Sequence, residues 1–74
     1  MSKGDLVHIV WSGGNEGDYR IEVDKFDNLF AVNNYYYHKD GTERDSEAIE
    51  ALRFYNPIAN NIKSIIKIQS TKWN

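Results

Sequence analysis

Two side chains in this sequence ordinarily titrate near neutrality, His8 and His38, and they stand far apart. Neither belongs to an H-x-x-x-H pair, the spacing that sets two imidazoles on one helical face to hold a metal. Cysteine is absent, which removes thiolate nucleophiles and zinc–sulfur sites. His8 fits a half-exposed strand position, and His38 fits a helix C-terminus, where the dipole favours a cation. The carboxylates Asp40, Glu43, Asp45, Glu47 and Glu50 crowd together. A calcium loop needs alternating oxygen ligands closed by a Glu at fixed spacing. The run Asp40 to Asp45 does not supply that order, and Arg44 sits inside it. These acids read as a polar loop followed by the first turn of a helix. The Gly13–Gly17 turn lacks the Lys-Ser/Thr of a phosphate loop, and Glu16 and Asp18 repel phosphate. No Ser/His/Asp arrangement emerges from spacing. The expectation is a non-enzymatic domain with no cofactor and no metal.

The elements that would carry these residues follow from periodicity. Leu6 to Trp11 reads as a strand: Val7, Ile9 and Trp11 share one face, and Leu6, His8 and Val10 share the other. A Gly- and Asn-rich turn from Ser12 to Asp18 leads into a second strand, Tyr19 to Val23. There Tyr19, Ile21 and Val23 point one way, and Arg20, Glu22 and Asp24 form a wet face. From Lys25 to Lys39, Phe26, Leu29, Phe30, Val32, Tyr36 and Tyr37 fall within about 160° of a helical wheel, which predicts a helix capped by Asp24 and closed by Gly41. A second helix is predicted from about Ser46 to Tyr55, capped by Asp45 or Ser46 and stopped by Pro57. Its apolar face is Ala48, Ile49, Ala51, Leu52 and Tyr55. Asn60 and Asn61 turn the chain into a last strand, Ile62 to Ser70. Ile62, Ile66 and Ile68 point inward, whereas Lys63, Lys67 and Gln69 point outward with Ile65 among them.

The expected fold class is α+β: ββααβ over residues 1–74, one domain, with a three-stranded, mostly antiparallel sheet and two helices on one face. The first strand is apolar on both sides and takes the centre, giving the order 2-1-3. The uncovered sheet face would carry Leu6, His8, Val10, Arg20, Glu22, Lys63, Ile65 and Lys67. An apolar centre with a charged rim is the pattern of a protein interface.

Bulk properties narrow the partner. The chain has 74 residues, 9 Lys and Arg against 11 Asp and Glu, and a net charge of −2. A general nucleic-acid binder derives most of its affinity from a basic excess, and none is present. No stretch approaches the ~20 apolar residues of a membrane span, and the N-terminus lacks a signal-peptide pattern. A cytoplasmic location is expected, with no membrane partner. A domain of this size leaves a large share of its surface exposed, so oligomerisation is a common remedy.

Aromatic residues make up 14% of the chain, and three consecutive tyrosines cannot all face one core. On the predicted helices Tyr36, Tyr37 and Tyr55 turn inward, whereas Tyr35 and Phe54 turn outward. With Trp73 they form an expected anchor cluster, because aromatics dominate interface hot spots.

Asp27, Phe30, Ala31 and Tyr35 follow the second strand at a spacing that resembles the Dmd family of T-even phage antitoxins. The resemblance covers the hairpin and first helix, and the insertion from Lys39 to Ser46 departs from it. It implies a class: a small, Asn- and Tyr-rich, cysteine-free acidic domain encoded by a phage to occlude a host protein. Anti-CRISPR proteins share this general look.

The leading expectation is therefore an inhibitor of a host nucleic-acid-processing or defence protein. Its partner-binding residues would be Tyr35, Phe54, Trp73, Glu43, Asp45, Glu47 and Glu50, with acids imitating phosphates in a basic groove. The alternative is RNA or single-stranded DNA binding on the open sheet, with Arg20, Lys63, Lys67 and Lys72 on phosphates. A further alternative is a structural homo-oligomer, such as a homodimer, with outer sheet faces stacked.

Overall fold

The computed structural model describes residues 1–55, 58 and 61–69, and Trp73, Lys72, Pro57 and Asn60 lie outside these. Four strands form one sheet: β1 (Leu6–Trp11), β2 (Glu16–Val23), β3 (Leu29–Asn33) and β4 (Ile62–Gln69). One α-helix, α1 (Ser46–Tyr55), separates β3 from β4. The strand order is β3-β2-β1-β4, with every neighbouring pair antiparallel. β1 lies between β2 and the last strand, as its two apolar faces require.

The predicted helix over 25–39 is instead a tight turn, strand β3 and a short 3-10 turn, Asn34–Tyr36. Asp24 drives the change. Its Oδ1 accepts hydrogen bonds from the Phe26 and Asn28 amides, at 2.8 and 2.9 Å, and so caps a hairpin turn rather than a helix. Asp27 takes φ 67°, a value that ends any right-handed helix there. Gly41 does adopt the left-handed region, at φ 91°. It serves the loop that joins Tyr37 to Glu43 through an isolated bridge. His38 consequently has no helix end to complement.

The sheet carries a core on each face. Val7, Ile9, Ile21 and Ala31 are fully buried on one face, packed by Trp11, Tyr19, Leu29, Ile58, Ile62 and Ile65. On the other, Phe30 and Val32 meet Tyr37 and Ile49, with Tyr36 and Leu52 beside them. Helix α1 begins where predicted because the Asp45 carboxylate accepts the Ala48 amide at 3.0 Å. Ile49 anchors it, and full burial of such a side chain contributes roughly 1.5–3 kcal/mol. Tyr55, expected inward, is 84% exposed.

Register corrects the predicted open face. Leu6 pairs with Arg20 and Arg20 with Val32, while Glu22 pairs with Phe30. Arg20 and Glu22 thus project toward the α1 side and are buried, not wet. In β4, extra residues at Lys63 and Ile68 form bulges against β1. They invert the expected phase: Ile65 opposes Ile9 and packs in the core, whereas Ile66 opposes His8 and is 62% exposed.

Candidate functional site

Helix α1 and the β2–β3 turn face each other across a cleft. Asp24, Lys25 and Phe26 line one wall, and Glu50, Arg53 and Phe54 line the other, around a cavity of about 60 Å³. The Asp24 turn holds Phe26 outward, and α1 holds Phe54 outward from the opposite wall. Backbone donation, foremost from Asn28, holds the Asp24 carboxyl below the usual carboxylate range. Phe26 is 71% and Phe54 64% exposed. Lys25 Nζ lies 5.3 Å from the Phe26 ring centre. Arg53 closes the floor, 3.5 Å from Glu50 and 3.9 Å from Glu22. The charges on the two walls balance, leaving two phenyl rings as the dominant accessible chemistry.

A buried polar cluster supports this cleft. The Tyr37 hydroxyl donates to Glu22 Oε2 at 2.7 Å. Burial, then this hydrogen bond, pushes the Tyr37 phenol far above its usual pKa. The Arg20 guanidinium lies 5.5 Å from the Tyr37 ring centre and donates to Gly4 O and Asn34 Oδ1. Glu22 Oε1 is buried without a hydrogen-bond partner among the described residues, with Arg53 its nearby cation.

Next to the cleft lies the acidic stretch. Glu43, Asp45, Glu47 and Glu50 are all exposed, the first two just before α1, Glu47 in its first turn and Glu50 at its middle. Asp45 also serves as the helix cap, and Glu43 Oε1 accepts from the Ser46 hydroxyl at 3.3 Å. The nearby cation, Arg44, is exposed and held along the surface: its Nε donates to Tyr37 O, and its guanidinium sits 5.9 Å from the exposed Tyr35 ring. Tyr35 is exposed and packs edge-on against Tyr36.

The other predicted surface does not assemble as expected. Leu6, His8 and Val10 share a partly exposed face with Ile66. Lys67 opposes Val7 on the opposite face, where its Nζ lies 3.8 Å from the buried Asp5 carboxylate. Ile65 also belongs to that face, Lys63 occupies a bulge, and Arg20 is covered. His8 is instead clasped by acids, Asp18 at 2.9 Å and Glu16 at 3.2 Å. The Asp18 hydrogen bond is the main cause that raises the imidazole above its ordinary pKa. Trp11 and Tyr19 meet edge-on at 5.7 Å beside an open concavity and cap the end of the core.

Phe26 is the residue that sequence reasoning misplaced, by assigning it to the buried face of a helix. The Asp24-to-Asn28 run, rich in turn-forming Asp and Asn, was the available signal. Among the described residues, no group of three or more His, Asp or Glu is placed to hold a metal ion, and no helix is long and apolar enough to cross a membrane. No protein-family model, curated protein or solved structure matches this chain.

Proposed function

We propose that this chain is a non-enzymatic protein-binding domain that docks through the Phe26–Phe54 cleft. One observation carries the reading: two phenyl rings, each more than 60% exposed, line the same charge-balanced cleft. Apolar rings ringed by polar groups are the anatomy of an interface anchor. The matching partner inserts an apolar or aromatic side chain between the rings. It then presents basic surface to Glu43, Asp45, Glu47 and Glu50. A protein built to hold nucleic acid offers such a groove, which agrees with an inhibitor of the phage-encoded class that occludes a host nucleic-acid-processing or defence protein.

The nucleic-acid alternative loses its geometric support, because Arg20, Lys63 and Lys67 do not share an open face. A photoreactive benzophenone placed at Phe54 tests the reading in bacterial lysate. It should cross-link one protein, whereas the same group at Lys3 should not. Equal labelling from both positions would contradict it.

A further inference from the structure

Arg53 lines the Phe26–Phe54 cleft, and its guanidinium is held by charge rather than by hydrogen bonds. Its Nε is buried without a hydrogen-bond partner among the described residues. One terminal nitrogen stands 3.5 Å from Glu50 and the other 3.9 Å from Glu22, beyond the roughly 2.7–3.2 Å of a hydrogen bond. The side chain stays 28% exposed, so solvent serves the donors that meet the cleft. A group that closes the cleft displaces that solvent. A purely apolar group would then strand a charged donor, which is costly unless an acceptor replaces the water.

We propose that the side chain entering the cleft is a tyrosine, with its ring against Phe26 and Phe54 and its hydroxyl accepting a hydrogen bond from Arg53. The proposal rests on docking at the Phe26–Phe54 cleft and names the group that docks there. The chemistry of the cleft removes the other candidates. Asp24 and Glu50 balance Lys25 and Arg53 on the walls, and Glu22 beneath tips the whole to net negative. An entering carboxylate is therefore repelled. Lysine and arginine carry donors alone and would set donor against donor. Serine, threonine, asparagine and glutamine hold an acceptor but no ring to meet the two phenyl groups. Among aromatics, phenylalanine has no acceptor and tryptophan offers only an indole N–H. Neighbouring acids favour imidazolium, so histidine also enters as a donor. A phenol is neutral, accepts from Arg53, and has its own proton to donate to a wall carboxylate. Tyrosine is also among the residues enriched at interface hot spots.

The test titrates the parent chain with the N-acetyl amides of tyrosine, phenylalanine and tryptophan, which differ only in the ring. Proton NMR follows the Phe26 and Phe54 ring signals and the Arg53 Nε–H. The tyrosine amide should bind at least about ten times more tightly than either of the others, the gain from a hydrogen bond to a charged donor. It should also move the Arg53 Nε–H signal, whereas the phenylalanine amide should not. Arg53→Met keeps the apolar stem and should bring the tyrosine amide down to the phenylalanine level, with circular dichroism unchanged. Should that variant fail to fold, the Nε–H signal of the parent chain still decides. Equal affinity for the tyrosine and phenylalanine amides, with Phe26 and Phe54 shifted by both, overturns the proposal and leaves docking at the cleft standing. Phe26 and Phe54 signals that respond to none of the three amides overturn the proposal and count against the cleft itself.

Discussion

The Tyr37 hydroxyl donates a 2.7 Å hydrogen bond to Glu22 Oε2, tying the segment after β3 to the middle of β2. Both residues are buried, and Arg53 of α1 reaches the same carboxylate. This cluster therefore sets the position of α1 over the sheet, and with it the separation of Phe54 from Phe26.

Tyr37→Phe removes the donor and leaves a buried carboxylate oxygen short of a partner. The expected loss is about 2 kcal/mol, within the range for a buried polar group deprived of its hydrogen bond. Urea unfolding measures it, and a loss below about 0.5 kcal/mol would show that the bond contributes little. Because Tyr37 stays protonated well above the ordinary phenol range, its contribution should persist through neutrality and fade only above about pH 10.

Asp45 has two roles that substitution can separate. Asp45→Ala should cost roughly 0.5–2 kcal/mol by removing the cap on α1. Asp45→Asn keeps a capping oxygen and should leave thermal unfolding nearly unchanged. If the acidic stretch meets a basic groove, Asp45→Asn should still weaken partner binding. Binding unchanged by Asp45→Asn would confine this residue to the cap.

His8 gives a pH dependence with a definite sign. Its pKa is raised in the folded chain by Asp18 and Glu16, so folding favours the imidazolium. That stabilisation is complete below the unfolded value of 6.5 and is lost as pH rises through the folded value. Proton NMR should place the His8 titration above 6.5, and Asp18→Asn should move it down. A His8 that titrates at or below 6.5 in the parent chain would contradict the clasped geometry.

Legibility in the sequence tracked how local the determining interaction was. Helix α1 was readable because its cap and apolar face lie within ten residues of one another. β1 was readable because both its faces are apolar, the mark of a central strand. β3 was not: Phe30 and Val32 feed one core and Leu29 and Ala31 the other, so no period-2 alternation survives to compete with the helical arc. Arg20 and Glu22 alternate like a solvated face, and only the later Tyr37 and Arg53 reveal why they are covered. In β4 the bulges at Lys63 and Ile68 displace the phase, and a bulge leaves no mark in residue type. For the candidate site, Tyr35, Phe54 and the acids were placed outward correctly. Phe26 required the turn that Asp24 makes.

The central claim is that Phe26 and Phe54 together anchor a protein partner. The most direct measurement immobilises the parent chain and a Phe26→Ala/Phe54→Ala variant, exposes both to the same bacterial lysate, and quantifies bound proteins by mass spectrometry. Truncating two hot-spot rings should cost about 2 kcal/mol or more, a loss of at least about thirtyfold in affinity. One protein should therefore be retained stoichiometrically by the parent chain and lost from the variant, whose thermal unfolding is unchanged. Equal retention by both, or nothing above background on the parent chain, would contradict the account.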